Sequence, residues 1–294
     1  MPVTDHKKVL FFLSRKAASN VLFTYCVFFS TSLIAMRAGQ EESAAERAAL
    51  DKQADRYLPL VGMIYVDGEI PVKWCSAVLL SGKVVMTTEM CIHERTVETL
   101  RFVPEGKSEP MNVAAILIHP SLKYSVMEGN REIEGGSVLA TDGDVALLQL
   151  TSPVTLPANI KYPTITDDDR LAIGEQALTI GYGETGDVTK DEALAKGKWQ
   201  GSRVANLKHY LTDQITGHFF FTFADQFSKQ IPCKGDGGAP LFLGPHTGDV
   251  QPKLVGIIAY TRAYDLHCGK IKSTYAVRLS EYKGWIDSHR NGWK

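Results

Sequence analysis

Short apolar runs separated by turn-forming residues dominate the chain from residue 58 onward. Each run is four to seven residues long and is bounded mainly by Gly, Pro, Asp or Ser. Runs of this length with such boundaries are typical of β-strands. The clearest runs are residues 60–66, 77–80, 84–87, 113–118, 145–150, 177–181, 219–223, 254–260 and 275–279. The pattern therefore predicts an all-β domain over residues 58–289.

Other stretches depart from this strand pattern. Residues 280–289 place their large apolar side chains at helical spacing, which predicts a terminal helix. Residues 40–57 are rich in alanine and charged residues and contain neither Gly nor Pro, so we expect a helical or disordered spacer there. The polar stretches 128–142 and 186–208 are predicted to be surface loops.

The N-terminal region carries one long uncharged segment, residues 17–36, with basic residues before it. Its twenty residues suffice to cross a bilayer as a hydrophobic helix, and the basic side would stay cytoplasmic. Ala35 and Ala38 supply small residues for cleavage, whereas the two residues between them depart from the usual site. Residues 1–39 are therefore either a cleaved signal peptide or a retained signal anchor. We expect an exported protein that is secreted, periplasmic or membrane-anchored.

The overall composition of the chain argues against some classes of function. The chain has 294 residues, 44% of them apolar, and a formal net charge of −1. These values are typical of a globular protein, and the chain lacks the excess positive charge that is typical of proteins that bind nucleic acid. Of the five cysteines, Cys26 lies inside the uncharged segment. The others show no C-x2-C spacing, and the histidines show no H-x3-H spacing, so we expect neither a metal nor another cofactor.

Three segments carry motifs of a known kind. Residues 85–91 read VMTTEMC, residues 144–150 read DVALLQL and residues 233–241 read CKGDGGAPL. They resemble the VLTAAHC, DIALLKL and CxGDSGGPL segments of the trypsin-like (chymotrypsin-fold) serine proteases of the S1 family. Shorter segments match the family in the same order. They are WCSAVLL at 74–80 (like CGGSLI), HP at 119–120, GYG at 181–183 (like GWG), residues 254–260 (like LxGIVSW) and residues 275–286.

The resemblance covers about residues 58–288 and implies a fold. Members consist of two six-stranded antiparallel β-barrels followed by a C-terminal helix. Here the first barrel would span about residues 58–160 and the second about residues 165–289, with the N-terminal hydrophobic helix before them. The disulfides that the resemblance implies are Cys75 with Cys91 and Cys233 with Cys268. Two disulfides suit an exported protein.

The resemblance also aligns the residues of the catalytic triad. Asp144 keeps the catalytic aspartate, while Met90 stands where the histidine belongs and Gly237 where the serine nucleophile belongs. A thioether transfers no proton at neutral pH and glycine has no hydroxyl, so neither residue can perform those steps. An oxyanion hole is formed by backbone N–H groups rather than side chains. Those of Gly235 and Gly237 would therefore still form one where the loop is ordered.

The surroundings of these positions are altered as well. Ala259 replaces the serine that hydrogen-bonds the aspartate, so Asp144 must rely on backbone amides, water or protonation. No IVGG-like sequence occurs between residues 40 and 60 to supply a new N-terminus for Asp236, which either points elsewhere or pairs with another group such as a lysine. The specificity pocket that the resemblance implies is lined by Ile231, Ala259, Tyr260, Thr261 and Ser273. Ile231 at its base removes any preference for a basic substrate group, and side chains in place of glycines narrow it.

These features lead us to expect an exported, catalytically inactive homologue that binds another protein as a decoy, regulator or scaffold. The alternative is a serine-type endopeptidase with a non-standard active site. His93 lies one helical turn past Met90, but no Ser, Thr or free Cys is adjacent to Gly237 in the sequence. A membrane-tethered assembly subunit is a third interpretation, which requires that residues 17–36 are retained.

Overall fold

The computed structural model describes most of the chain beyond residue 53. The described residues are 45, 48, 49, 52, 54–67, 74–127, 137–166, 176–183, 203–208, 211–215, 218–224, 232–233, 235–243, 251–263 and 271–293. They all lie in one compact unit, Leu33–Lys294. The predicted hydrophobic helix within residues 1–39 lies outside the described residues. Among the helices that are described, none combines the length and the apolar character needed to cross a membrane.

The described residues of the first half of the chain form eight strands. They are β1 Val61–Val66, β2 Trp74–Leu79, β3 Val84–Thr87, β4 Leu100–Pro104, β5 Met111–Ile118, β6 Lys123–Met127, β7 Ser137–Asp142 and β8 Ala146–Leu150. Six of them close into a barrel in the order β1-β2-β3-β8-β5-β4, and every neighbouring pair is antiparallel. Leu79, Phe102 and Leu148 are among the buried side chains that pack together in it. The predicted first barrel is therefore confirmed.

Within the described part of the chain, the remaining two strands of this half pair only with each other. β6 and β7 form a separate antiparallel ribbon in which Tyr124 faces Ala140 and Val126 faces Val138. Residues 137–142 were expected to belong to a surface loop, and that expectation is wrong, because the sequence SVLATD provides a strand partner for β6. Asp144 follows two residues after the end of β7.

In the second half, the residues that the structure describes also form eight strands. They are β9 Thr164–Ile165, β10 Gln176–Gly181, β11 Arg203–Lys208, β12 Leu211–Ile215, β13 His218–Ala224, β14 Pro240–Leu243, β15 Lys253–Ala263 and β16 Ile271–Arg278. Seven follow the order β11-β10-β14-β15-β16-β13-β12, and β9 pairs in parallel with β15. Six strands were expected. The short strand β9 and the strand β11, which lies in the predicted loop 186–208, account for the difference. Closure of this sheet into a second barrel stays a prediction.

A helix ends the fold, as the spacing of its apolar residues predicts. The helix α1, Lys283–His289, follows a 3-10 helix at Leu279–Tyr282. Ile286 is fully buried. The Trp285 ring packs edge-on against His119 from the first half of the chain, with ring centroids 4.8 Å apart. Just past the helix, the Arg290 guanidinium donates to the carbonyl oxygens of Leu80 and Pro163, which fixes the end of the chain against the first barrel.

The fold also recruits residues that precede its first strand. A 3-10 helix at Leu58–Leu60 leads into β1. Tyr57 and Ala54 are buried, and the Tyr57 ring stacks on Phe242 of β14 with ring centroids 4.5 Å apart. Residues that the sequence assigns to the spacer 40–57 are thus part of the core. The described residues of that spacer from 45 to 52 are helical and exposed.

Candidate functional site

A short 3-10 helix directly after β3 carries Met90. It comprises Glu89–Cys91, and the carbonyl oxygen of Glu89 accepts from the N–H of Ile92 at its end. Cys91 forms a disulfide with Cys75 of β2, as the resemblance implies. The covalent link and the end of β3 together hold Met90 at the rim of the first barrel.

Asp144 lies beside this helix because of the turn that precedes it. Gly143 has a φ of +63°, and a Cβ at this position would lie 2.5 Å from the backbone nitrogen of Leu122, so only glycine fits the turn. The Asp144 side chain is buried, and its Oδ1 accepts a hydrogen bond from the N–H of Met90 at 3.1 Å. The turn therefore brings two of the aligned triad positions into direct contact.

Burial raises the pKa of the Asp144 carboxyl to about 7. The N–H of Met90 acts in the opposite direction, because it stabilises the charged form, and the nearby charge of Glu89 raises the pKa further. Of the alternatives that the sequence leaves open for Asp144, the structure supplies a backbone amide, and the raised pKa favours protonation. At neutral pH this carboxyl is protonated in a substantial fraction of the molecules.

Glu89 is a second buried carboxylate at the same place. Its side chain is 4% exposed, and its Oε1 lies 2.9 Å from Nδ1 of His93, whose side chain is 44% exposed. Nε2 of His93 lies 3.9 Å from Oε1 of Glu94. A carboxylate that holds one ring nitrogen fixes the orientation of an imidazole. The site therefore contains an oriented histidine one turn away from Met90.

Gly237 lies against the disulfide. Its carbonyl oxygen accepts from the N–H of Ser76 at 2.7 Å. A Cβ built on Gly237 would lie 3.2 Å from Cys91 Sγ, 3.4 Å from Cys75 Sγ and 3.8 Å from the carbonyl oxygen of Ala259. The disulfide thus lies between Met90 and Gly237, and Met90 in turn contacts Asp144. One set of contacts links the three aligned triad positions.

Two glycines in the loop around Gly237 have left-handed backbone conformations. Gly235 has a φ of +93° and Gly238 a φ of +78°, which favours glycine at both positions. The hydroxyl of Ser76 donates to the carbonyl oxygen of Gly235 at 3.2 Å. Within the described part of the chain, the N–H groups of Gly235 and Gly237 donate to no protein acceptor.

Asp236 points into the protein. It is completely buried, and its carboxylate accepts from the N–H of Gly183 at 2.7 Å and from the N–H of Cys233 at 2.8 Å. A Cβ on Gly181 would lie 2.2 Å from Asp236 Oδ1, so glycine is needed there to admit the carboxylate. Backbone amides are thus among the partners of this carboxylate, for which the sequence left open either another orientation or a pairing with a group such as a lysine.

The residues assigned to the specificity pocket are only partly described. Ala259, Tyr260 and Thr261 lie on β15, and Ser273 lies on the neighbouring strand β16. Ser273 faces Arg262, the residue after Thr261, so their backbones are adjacent. Ile231 and Cys268 lie outside the described residues. Cys233 is in a disulfide, as predicted, but its assigned partner is therefore not described.

Three residues near the site were not singled out from the sequence. Thr88 and Glu89 replace the two alanines of the VLTAAHC segment, and Ser76 replaces the first glycine of CGGSLI. The Ser76 hydroxyl also accepts from the N–H of Tyr182 at 2.9 Å, so Ser76 joins the two halves of the chain. Comparison with each motif letter by letter would have found them. Among the described residues, no three His, Cys, Asp or Glu side chains converge as metal ligands.

Comparison with known proteins identifies the class to which this fold and site belong. Residues 50–286 match the family described as Trypsin. Because this match spans most of the chain, the chain belongs to the trypsin family, the trypsin-like serine proteases of the S1 type. It is also similar to granzyme M of Rattus norvegicus, with 26% identity over 219 residues that cover 72% of this chain and 78% of the granzyme.

Proposed function

We propose that this protein is a catalytically inactive member of the family that acts by binding another protein, as a decoy, regulator or scaffold. The observation that carries the proposal is the contact set around the disulfide. Met90 donates its N–H to Asp144, and Gly237 lies against Cys75 and Cys91. The aligned triad positions thus meet at one place, and the residues there in the base and nucleophile positions are a thioether and a glycine.

Acyl transfer of the serine-protease type needs an attacking hydroxyl and a base that removes its proton. Asp144 performs neither step in that mechanism, since the aspartate only orients and stabilises the histidine. Burial raises its pKa to about 7, which weakens even that electrostatic role at neutral pH. No catalytic cofactor is proposed to replace the missing groups.

What the site retains is suited to binding. The N–H groups of Gly235 and Gly237 offer donors to a carbonyl or carboxylate oxygen of a bound chain. The disulfide and the trypsin domain fit an extracellular protein. We further propose that residues 17–36 direct export and either are removed or anchor the protein to a membrane. The partner is a protein, and nucleic acid is not proposed as a ligand.

A second candidate function is an endopeptidase with a non-standard active site. The observation that favours it is the pair formed by Glu89 and His93, in which a buried carboxylate holds a half-exposed imidazole at 2.9 Å. Such a pair has the composition of a base and its orienting acid. The described residues provide no hydroxyl or thiol nucleophile at Gly237 for that base to activate, so we rank this function second.

The purified full chain should hydrolyse no peptide or ester substrate above the background of the buffer, because both the attacking hydroxyl and its base are missing. Hydrolysis of fluorogenic peptides and activated esters is measured for the wild type and for His93→Ala. Activity that co-purifies with the chain and disappears in His93→Ala would support the second candidate and contradict the proposal. Asp287→Ala, a change in the C-terminal helix, serves as the control for nonspecific loss.

Restoring the triad residues by Met90→His with Gly237→Ser should also fail to produce a protease. A serine at Gly237 brings its Cβ to 3.2 Å from Cys91 Sγ, and the new histidine has the buried carboxylate of Glu89 beside it. Triad groups work only as a preorganised unit, and a misplaced set loses orders of magnitude in rate. Labelling by a fluorophosphonate should match that of the single variant Gly237→Ser. Rapid stoichiometric labelling of the double variant alone would mean that the catalytic geometry is intact.

A further inference from the structure

We propose that the Cys75–Cys91 disulfide is a site of thiol–disulfide exchange, at which a small thiol attacks Cys75 and Cys91 leaves as a thiolate. Nothing in the proposed binding function requires this chemistry. It follows from two features of this chain, the missing side chain at Gly237 and the hydroxyl of Thr88 beside Cys91.

The first feature determines access to the sulfurs. A side chain at position 237 would begin 3.2 Å from Cys91 Sγ and 3.4 Å from Cys75 Sγ, and would therefore cover both sulfurs. Glycine covers neither. Gly237, Cys75 and Cys91 are all partly exposed, whereas Cys233, the other described disulfide cysteine, is only 5% exposed. Because exchange needs a thiolate to reach a sulfur, the exposed bridge should react first.

The second feature selects the leaving group. The hydroxyl of Thr88 donates a hydrogen bond to Cys91 Sγ at 3.0 Å, and Thr88 is completely buried. A hydrogen bond to sulfur strengthens as that sulfur becomes a thiolate, since a charged acceptor binds a donor more tightly than a neutral one. A lower thiol pKa makes a faster leaving group. Cys91 is therefore the sulfur that leaves, and Cys75 is the sulfur that is attacked.

The reaction balances with a thiol as its only co-reactant. The thiolate of the small thiol forms a bond to Cys75 Sγ, the bond between Cys75 and Cys91 breaks, and its electron pair goes to Cys91 Sγ. The product is a mixed disulfide at Cys75 and a thiolate at Cys91. The thiolate of a second molecule of the thiol then attacks the sulfur of the attached thiol, and the bond to Cys75 Sγ breaks. The products are the disulfide of the small thiol and Cys75 as a thiolate, which takes up a proton.

Opening this bridge would act on the candidate site. The disulfide ties β2 to the 3-10 helix Glu89–Cys91, and the N–H of Met90 in that helix holds Asp144. Once Cys91 is released, the helix loses its covalent link to β2 and keeps only non-covalent contacts, among them the hydrogen bond to Asp144. Exchange at Cys75 would therefore change the surface formed by Met90 and Gly237, and a small thiol would be attached beside it at the mixed-disulfide stage.

The test uses the full chain with its disulfides intact and 2-mercaptoethanol, a neutral thiol. Samples are quenched with an alkylating agent over time, and mass spectrometry of an unreduced digest reports free cysteines and mixed disulfides. We expect the Cys75–Cys91 bridge to open about tenfold faster than the bridge of Cys233, because of its greater access. The adduct is expected on Cys75. Equal rates for the two bridges, or an adduct on Cys91, would overturn the proposal.

Two variants separate access from leaving-group stabilisation. Gly237 does not have a positive φ, so Gly237→Ala fits the backbone and should slow the opening several-fold by covering the sulfurs. Thr88→Val keeps the shape of the side chain but removes its hydroxyl, and should slow the opening by about tenfold through loss of the hydrogen bond to the leaving thiolate. If both variants open at the wild-type rate, the proposal is wrong. If a variant is destabilised, both bridges will open faster together, and the other variant decides.

Discussion

Asp144→Asn should stabilise the folded protein by up to about 4 kcal/mol at pH 8 and leave its stability nearly unchanged at pH 4. The reason is the raised pKa of the Asp144 carboxyl, which burial moves to about 7. In the unfolded chain an aspartate titrates near about 3.9. The difference between these values corresponds to about 4 kcal/mol, since each pKa unit represents about 1.4 kcal/mol.

The sign follows from which state holds the proton. Between about pH 4 and pH 7 the folded state binds a proton at Asp144 that the unfolded state has already released. The stabilisation that this proton confers is complete below the unfolded pKa and is lost as the pH rises through the folded pKa. Asparagine never ionises, and its Oδ1 can still accept from the N–H of Met90, so the variant avoids that loss.

Urea denaturation of the wild type and of Asp144→Asn at pH 4, 6 and 8 measures this difference. Asp142→Asn is the matched control. Its carboxylate is also buried, but it accepts from the hydroxyl of Tyr282 at 3.0 Å and lies 3.7 Å from Nζ of Lys123, so its loss should destabilise the protein at pH 8. A stability difference between Asp144→Asn and the wild type that does not change with pH would refute this explanation.

Tyr57→Ala should lower the free energy of unfolding by about 4 kcal/mol, the usual cost of removing a buried aromatic ring. Tyr57 is 1% exposed and stacks on Phe242 with ring centroids 4.5 Å apart. The ring belongs to the segment before β1, and it packs on a strand from the other half of the chain. Removal of the ring leaves a cavity between the segment before β1 and strand β14.

Tyr57→Phe keeps the stacked ring and serves as the control, with an expected cost well below that of alanine. Denaturant unfolding of both variants and the wild type gives the comparison. If Tyr57→Ala costs less than about 1 kcal/mol, the segment before β1 is not part of the folded core. A large loss for both variants would instead show that the hydroxyl, rather than the ring, matters.

Much of the first barrel could be predicted from sequence because most of its strands can be recognised from their own residues. Residues 84–87 and 145–150 are short apolar runs with turn residues at their ends, and they become β3 and β8. Strands β7 and β11 were missed because they occur in polar stretches and depend on partners elsewhere for their pairing. Local periodicity contains no information about such partners.

The candidate site shows the same limit more sharply. The motifs placed Met90, Asp144 and Gly237 on three separate segments, and the resemblance supplied their alignment. Burial of Glu89 and its bond to His93 could not be derived in that way, because a charged residue in a polar-looking segment predicts exposure unless its tertiary surroundings are known. The same holds for Asp236, because its partners include the backbone amides of Gly183 and Cys233, and backbone amides cannot be identified from the sequence.

We propose that this member of the trypsin family has no working nucleophile. The test is reaction of the full chain with an excess of a fluorophosphonate, followed by intact-mass spectrometry, with an active trypsin-like protease as the positive control. We predict that the control gains one phosphonyl group and that this protein gains none. Stoichiometric labelling of a single Ser, Thr or Tyr side chain in the native protein, abolished by unfolding before labelling, would contradict the claim.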